Sequence, residues 1–211
     1  MIRLFLLRHG NTFEAHQTPT QVGAASDLPL TAQGCAQAEH FANYLQAEGV
    51  RPQAIYAGSL QRQTKTAHLV QQRMAPPPAL YLQQRALTEI DYGPWEGLTS
   101  EEIVTKWPEA YKGWTEQGLW AEGIFGRTLQ EHREEIDRFL EHLQKSYTSH
   151  DTLVAVTSNG VMRFFYAYGL DKWKMENVKV KTGHFCELVL SPHSVKIIQW
   201  NVDPWKKNDS M

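Results

Sequence analysis

Ile2-Arg3-Leu4-Phe5-Leu6-Leu7-Arg8-His9-Gly10-Asn11-Thr12 begins apolar and ends polar. The run from Ile2 to Leu7 is short, branched and aromatic, and it stops at a glycine, the pattern of a buried strand. An Arg and a His side by side at such a strand end are an unusual use of polar residues. In open α/β sheets that edge is where ligands bind. From these residues alone two readings stand: a His nucleophile beside an anion-holding Arg, or an ordinary polar loop.

The same strand-then-polar-turn design recurs along the chain. Ala54-Ile55-Tyr56-Ala57 runs into Gly58-Ser59-Leu60, and Thr152-Leu153-Val154-Ala155-Val156-Thr157 runs into Ser158-Asn159-Gly160. Leu80-Tyr81-Leu82 reads as a further strand. Helices are predicted between them: from an N-cap at Thr31 to about Glu48 with Gly49 as its stop, through about Arg73 before the prolines at 76–78, from about Thr128 to Gln144, and after Gly160. His184 to Ser191 and Val195 to Trp200 read as a closing strand pair with a turn at Pro192-His193, followed by a loose polar tail from Lys206. Residues 13–30 read as a long loop. Residues 99–126, with Trp107, Trp114, Trp120 and Phe125, read as an irregular, partly helical insertion over a site.

Strands alternating with helices predict an α/β fold: a three-layer, doubly wound, mostly parallel sheet with helices on both faces. A length of 211 residues fits one domain, 1–211, with the insertion at about 99–126. The net charge of −2 shows no basic stripe, which argues against nucleic acid as a partner. Any cations that hold an anionic substrate must therefore be local. Cys35 and Cys186 suggest no disulfide framework, and each is expected to be a small packed residue. No apolar run is long enough for a membrane helix and the first one lacks a cleavage pattern, so a cytoplasmic location is the default expectation. His16, His40, His68, His132, His142, His150 and His193 show no metal-ligand spacing and are expected at the surface or at caps. No metal or organic cofactor is implied. Oligomeric state is not legible.

Parallel strands place their C-terminal ends on one edge, so Arg8-His9-Gly10-Asn11, Ser59 to Arg62 and Thr157-Ser158-Asn159-Gly160 can converge. Two guanidinium groups beside a His suit a phosphoryl group, because the planar fork matches its oxygens and keeps its charge. Helix N-termini after Gly10, Ser59 and Gly160 would add backbone donors.

Four segments in this order resemble the histidine phosphatase superfamily, the phosphoglycerate-mutase-like group. They are Leu7-Arg8-His9-Gly10 with Thr12, Leu30-Thr31-x-x-Gly34, Ser59-Leu60-x-Arg62-x-x-x-Thr66-Ala67, and Leu87-Thr88-Glu89-Ile90-Asp91-Tyr92-Gly93-x-Trp95-Glu96-Gly97. The resemblance implies phosphomonoester hydrolysis through a phosphohistidine on His9. Arg8 and Arg62 would hold the phosphoryl oxygens, and Glu89 would serve as general acid and then base. Asp91 and Glu96 are the alternative acids. Asn11, Ser59, Asn159 and Gly160 are candidate substrate contacts. A raised pKa is expected for Glu89, and a carbonyl holding one ring N–H is expected for His9.

One departure stands out against the resemblance. Where such proteins carry a second His after the fourth strand, this chain is read as placing Asn159. A carboxamide can donate a hydrogen bond but cannot bring charge; losing one charge-assisted donor costs on the order of 2–4 kcal/mol in a transition state. Three readings follow: a small-substrate phosphatase using Asn159 as a neutral donor, a slow enzyme, or a phosphate-ester-binding protein. A phosphoglycerate-type mutase is a further alternative. Mutases of the group tend to read Glu-Arg-His-Tyr-Gly in the acid-bearing loop, and Glu89-Ile90-Asp91-Tyr92-Gly93 departs from that.

Overall fold

The computed structural model describes residues 1–78, 80–170, 175, 178–192 and 194–205. Six strands form one sheet: β1 (Ile2–Arg8), β2 (Ala54–Ala57), β3 (Leu80–Gln83), β4 (Thr152–Thr157), β5 (Phe185–Ser191) and β6 (Ser194–Val202), in the order β3-β2-β4-β1-β5-β6. β3, β2, β4 and β1 are mutually parallel, β5 pairs antiparallel with β1, and β6 pairs antiparallel with β5. The sheet is thus α/β and mostly parallel, as predicted. The centre explains why: β1 and β4 are almost wholly buried, and a strand covered on both faces needs apolar residues on both.

The helices are α1 (Ala32–Ala47), α2 (Gln61–Arg73), α3 (Ser100–Lys106), α4 (Pro108–Lys112), α5 (Leu129–Ser146) and α6 (Asn159–Gly169). Alternate side chains of the central strands feed two cores. Phe5, Leu7, Val154 and Val156 pack with Phe41, Leu45 and Val70 of α1 and α2. Leu4, Leu6, Leu153 and Ala155 pack on the other face with Phe139 and Leu143 of α5 and Phe164 of α6. Thr31 caps α1 by accepting the Gly34 N–H at 3.0 Å, and Gly49 follows that helix with a φ of +65°.

The ends of β1, β2 and β4 lie side by side: Arg8 pairs with Thr157, and Ala57 with Val156. The segment after β1 is pressed against the start of α1, since a Cβ on Gly10 would collide with the Gly34 backbone. No helix begins after Gly10, contrary to expectation; the chain runs as a loop to Thr31. In the 99–126 stretch, α3 and α4 are followed by a π-helical turn at Gly113–Gln117. Phe125 anchors this stretch, meeting Tyr92, Trp95, Trp114 and Trp120 nearly edge-on at centroid separations of 5.0–5.2 Å.

His132 corrects the surface assignment. It is buried between Trp120 and Phe164, and burial pushes its pKa down to about 4. Cys35 is half-buried, Cys186 is buried, and both are free thiols. The expected turn residue His193 and the tail from Lys206 lie outside the described residues. Among the described residues, no helix is long and apolar enough to cross a membrane.

Candidate active site

Arg8, His9, Arg62 and Glu89 line one cavity of about 600 Å³ at the sheet edge where β1, β2 and β4 end. Each is held by hydrogen bonds to main-chain groups. The His9 ring Nδ1 lies 2.7 Å from the Gly10 carbonyl oxygen. A carbonyl can only accept, so Nδ1 carries the proton and Nε2 keeps its lone pair. Burial, then the charges of Arg8 and Arg62, hold the His9 pKa well below the usual histidine value. The ring is neutral at physiological pH.

The two arginines are held by backbone oxygens. Arg8 Nη1 donates to the Val180 carbonyl at 2.6 Å. Arg62 donates through Nη1 to Ser26 and through Nη2 to Gly23, at 2.7 and 3.0 Å. Carbonyls orient a guanidinium without cancelling its charge. The Nε atoms of both arginines are buried and meet no protein acceptor, the condition that an anion in the cavity would relieve.

Glu89 is buried and lies close enough to Arg8 and Arg62 to feel their charge. Its Oε1 accepts from the Ile90 N–H at 2.9 Å and its Oε2 from the Gly160 N–H at 3.3 Å. Burial raises its pKa, and the arginines and backbone donors only partly offset that effect. The alternative acids are occupied elsewhere. Asp91 accepts from Gly93, and Glu96 accepts from Ser26, Ala25 and Tyr92; neither lines the cavity.

The remaining candidates divide. Asn11 and Asn159 line the cavity. The Asn11 amide donates to the Phe13 carbonyl and Gln33, which ties it to its own loop. Asn159 Oδ1 accepts from the Val180 N–H at 2.8 Å, and its NH2 has no hydrogen-bond acceptor among the described residues. Ser158, just before it, is buried and accepts from Gln63 Nε2 at 2.9 Å. Gly160 spends its N–H on Glu89. Ser59 is not brought to the cavity: it is exposed and pairs with Thr88. The N-terminus of α2 is also engaged, with the Gln61 N–H donating to Asp27.

Sequence reasoning missed several groups. Val180 is an apolar residue whose main chain serves both Arg8 and Asn159, and no side-chain pattern announces that. Thr66 Oγ1 accepts from the Gly10 N–H at 3.1 Å. Tyr92 is buried on the cavity wall, and burial pushes its phenol well above the usual range. Arg163, also on the wall, had a visible signal: it is the one charge inside the apolar run Val161-Met162-Arg163-Phe164-Phe165. Among the described residues, no group of three or more His, Cys, Asp or Glu could hold a metal ion.

Comparison with known proteins agrees with this geometry. The chain is 29% identical over 168 residues to phosphoserine phosphatase 1 of Hydrogenobacter thermophilus, covering 79% of this chain and 75% of that protein. It is 31% identical over 106 residues to the 2,3-bisphosphoglycerate-dependent phosphoglycerate mutase of Bartonella quintana, half of each chain. The structure of a mycobacterial glucosyl-3-phosphoglycerate phosphatase with VO3 superposes with a TM-score of 0.80 at 22% identity, covering 95% of this chain and 99% of that one. The family model of the histidine phosphatase superfamily, branch 1, matches residues 4–203. The chain belongs to the histidine phosphatase superfamily.

Proposed function

We propose that this protein hydrolyses phosphomonoesters through a phosphohistidine on His9. The observation that carries the reading is the neutral His9 ring, its Nδ1–H held by the Gly10 carbonyl, in a cavity shared with two carbonyl-anchored arginines and a buried carboxyl. In the first step the Nε2 lone pair attacks phosphorus and the bond to the ester oxygen breaks. Glu89 gives its proton to the departing alkoxide. In the second step water attacks the phosphohistidine, its proton passes to the Glu89 carboxylate, and the N–P bond breaks to return the lone pair to Nε2.

Arg8 and Arg62 would neutralise the equatorial oxygens through both steps. The Asn159 NH2 would supply a neutral donor to one of them. Hydrolysis is favoured over mutase chemistry by the acid-bearing loop, Glu89-Ile90-Asp91-Tyr92-Gly93, which lacks the Arg-His pair of the mutases. Incubation with a labelled aryl phosphate, quenching, and testing for an acid-labile, base-stable protein label checks the proposal. A label in wild type that disappears in His9→Ala is expected. Phosphate release without any such label would sink the covalent route, and tight phosphate binding without turnover would make the protein a binder.

A further inference from the structure

Residues 178–184, which lead into β5, meet the Arg8–His9 end of β1 through main-chain atoms. The Val180 carbonyl accepts from Arg8 Nη1 at 2.6 Å, and the Val180 N–H donates to Asn159 at 2.8 Å. The Gly183 N–H donates to the Arg8 and His9 carbonyls, each at 3.2 Å, and the His184 carbonyl accepts the Arg8 N–H at 3.0 Å. Arg8 is thus held, side chain and main chain, by one short segment. Whatever fixes that segment fixes the guanidinium.

The segment is held in turn from β6, by one residue. Phe185 pairs with Val202 and Glu187 with Gln199, so Cys186 faces both Trp200 and Asn201, and β6 bulges there. At the bulge Asn201 has a φ of +57°, and among the described residues it is the only non-glycine with a positive φ. Asn tolerates this region better than most side chains do, yet the conformation costs free energy and persists only where the surroundings determine it. Here it presents two acceptors to the segment. Asn201 Oδ1 accepts from the Lys181 N–H at 2.9 Å. Its carbonyl lies 3.2 Å from Nδ1 of the buried His184, which must donate. A glycine would adopt the same backbone with less strain. What Asn adds over Gly is the side-chain bond.

That bond lands on a telling group. The Lys181 N–H and the Val180 C=O are the two ends of one planar trans peptide unit. Asn201 and Arg8 therefore grip a single rigid group from opposite sides, and each bond polarises the peptide in favour of the other. We propose that Asn201 is a positioning residue for the anion clamp, fixing the reach of Arg8 into the cavity through the Val180–Lys181 peptide. Asn201 does not itself line the cavity.

The proposal rests on the reading of Arg8 as an anion clamp. Its test therefore follows binding of inorganic phosphate by phosphorus NMR titration, which needs no turnover, with thermal unfolding recorded beside it. Asn201→Gly keeps the backbone conformation and removes the acceptor. It should raise the phosphate dissociation constant by about fivefold, the scale of one ordinary hydrogen bond. Asn201→Asp keeps the acceptor and should stay within about twofold of wild type. In an Arg8→Met background, Asn201→Gly should change the constant by less than about twofold, because its effect passes through Arg8. A residue that merely shapes the bulge would lower the unfolding temperature and leave phosphate affinity alone. Unchanged affinity in Asn201→Gly, no recovery in Asn201→Asp, or an undiminished loss in the Arg8→Met background would each overturn the proposal. Should Arg8→Met misfold, the Gly and Asp variants still decide. An Arg8→Met protein that binds phosphate as wild type does would defeat the anion clamp itself and the proposal with it, a failure distinct from one at Asn201 alone.

Discussion

The end of β1 and the end of β4 lie side by side on the same sheet edge, yet they use polarity in opposite ways. At β1, Arg8 and His9 line the cavity and are themselves held by carbonyls, those of Val180 and Gly10. At β4, three successive residues spend their polar groups on other residues. Ser158 accepts from Gln63, Asn159 accepts from the Val180 N–H, and the Gly160 N–H goes to Glu89. Val180 links the two ends: Asn159 fixes its N–H and its carbonyl fixes Arg8. Under the proposed function, one strand end would supply the reacting groups and the other would aim the acid and the anion clamp. Position on the functional edge therefore does not by itself make a residue a substrate contact.

If that division holds, losses at β1 should far exceed losses at β4. His9→Ala removes the proposed nucleophile and should lower kcat by a factor on the order of 10⁴ or more, with no phosphoenzyme trapped. Glu89→Gln, on the acid loop that the β4 turn supports, should cost roughly 10²–10³ in kcat/KM for alkyl phosphates. Its effect should be smaller for an aryl phosphate, whose leaving group needs less protonation. The pH profile separates the two groups. The His9 pKa is lowered, so activity falls on the acid side as that ring protonates. The Glu89 pKa is raised, so kcat/KM falls on the alkaline side as that carboxyl ionises. Glu89→Gln should abolish the alkaline limb alone. An alkaline limb that survives would move the acid to another residue.

The β4 end should respond in smaller steps. A Cβ at Gly160 would strike the Tyr92 hydroxyl and the Glu89 carboxylate, so Gly160→Ala should destabilise the protein by about 1–3 kcal/mol and lower kcat with it. Thermal unfolding and single-turnover rates check both. Asn159→Ala frees the Val180 N–H and loosens Arg8 through the Val180 carbonyl. It should raise the inhibition constant of inorganic phosphate by about tenfold, the scale of one hydrogen bond lost beside a charge. Asn159→Asp can still accept from Val180 but sets a carboxylate in the cavity, so its phosphate binding should be weaker still. An Asp variant that binds phosphate as wild type does would mean that residue 159 does not face the phosphoryl oxygens, and an Ala variant that does so would sever Asn159 from Arg8.

The parts legible in the sequence share a physical cause. β1 and β4 were legible because burial on both faces demands unbroken apolar runs, and α1 because Thr31 and Gly49 mark its ends chemically. Arg8 and His9 were singled out by their place at a strand end and Arg62 by the turn after β2, whereas Glu89 entered only through the family resemblance of its loop; all four line the cavity. Contacts made by main-chain atoms were not legible: Val180 carries no side-chain signal, and nothing local says that the Gly160 N–H points to a carboxylate. The adjacent Ser158 and Asn159 show the limit well. Both are small, polar and next to the edge, and only the three-dimensional turn determines that Asn159 reaches the cavity wall. His132 was misplaced because a helix with many charges hides one buried imidazole on its inner face.

Ser59 tests the same lesson where the expected effect is smallest. It follows β2, the third strand to reach this edge, and sits where a hydroxyl and a helix N-terminus together suggest an anion site. The local structure has already used both features. Its backbone N–H and its hydroxyl meet Thr88, and the first N–H of α2 is taken by Asp27. Arg62, the second residue of that helix, is buried on the cavity wall. Ser59→Ala should therefore change kcat/KM by no more than about twofold, the effect of an ordinary surface substitution of about 0.5 kcal/mol. Arg62→Met should raise the phosphate inhibition constant by roughly 10²-fold, as expected for a bidentate charged contact. A Ser59 variant as damaging as the Arg62 variant would mean that Ser59 leaves Thr88 when substrate arrives, and that the β2 end belongs with β1 rather than with the supporting turn of β4.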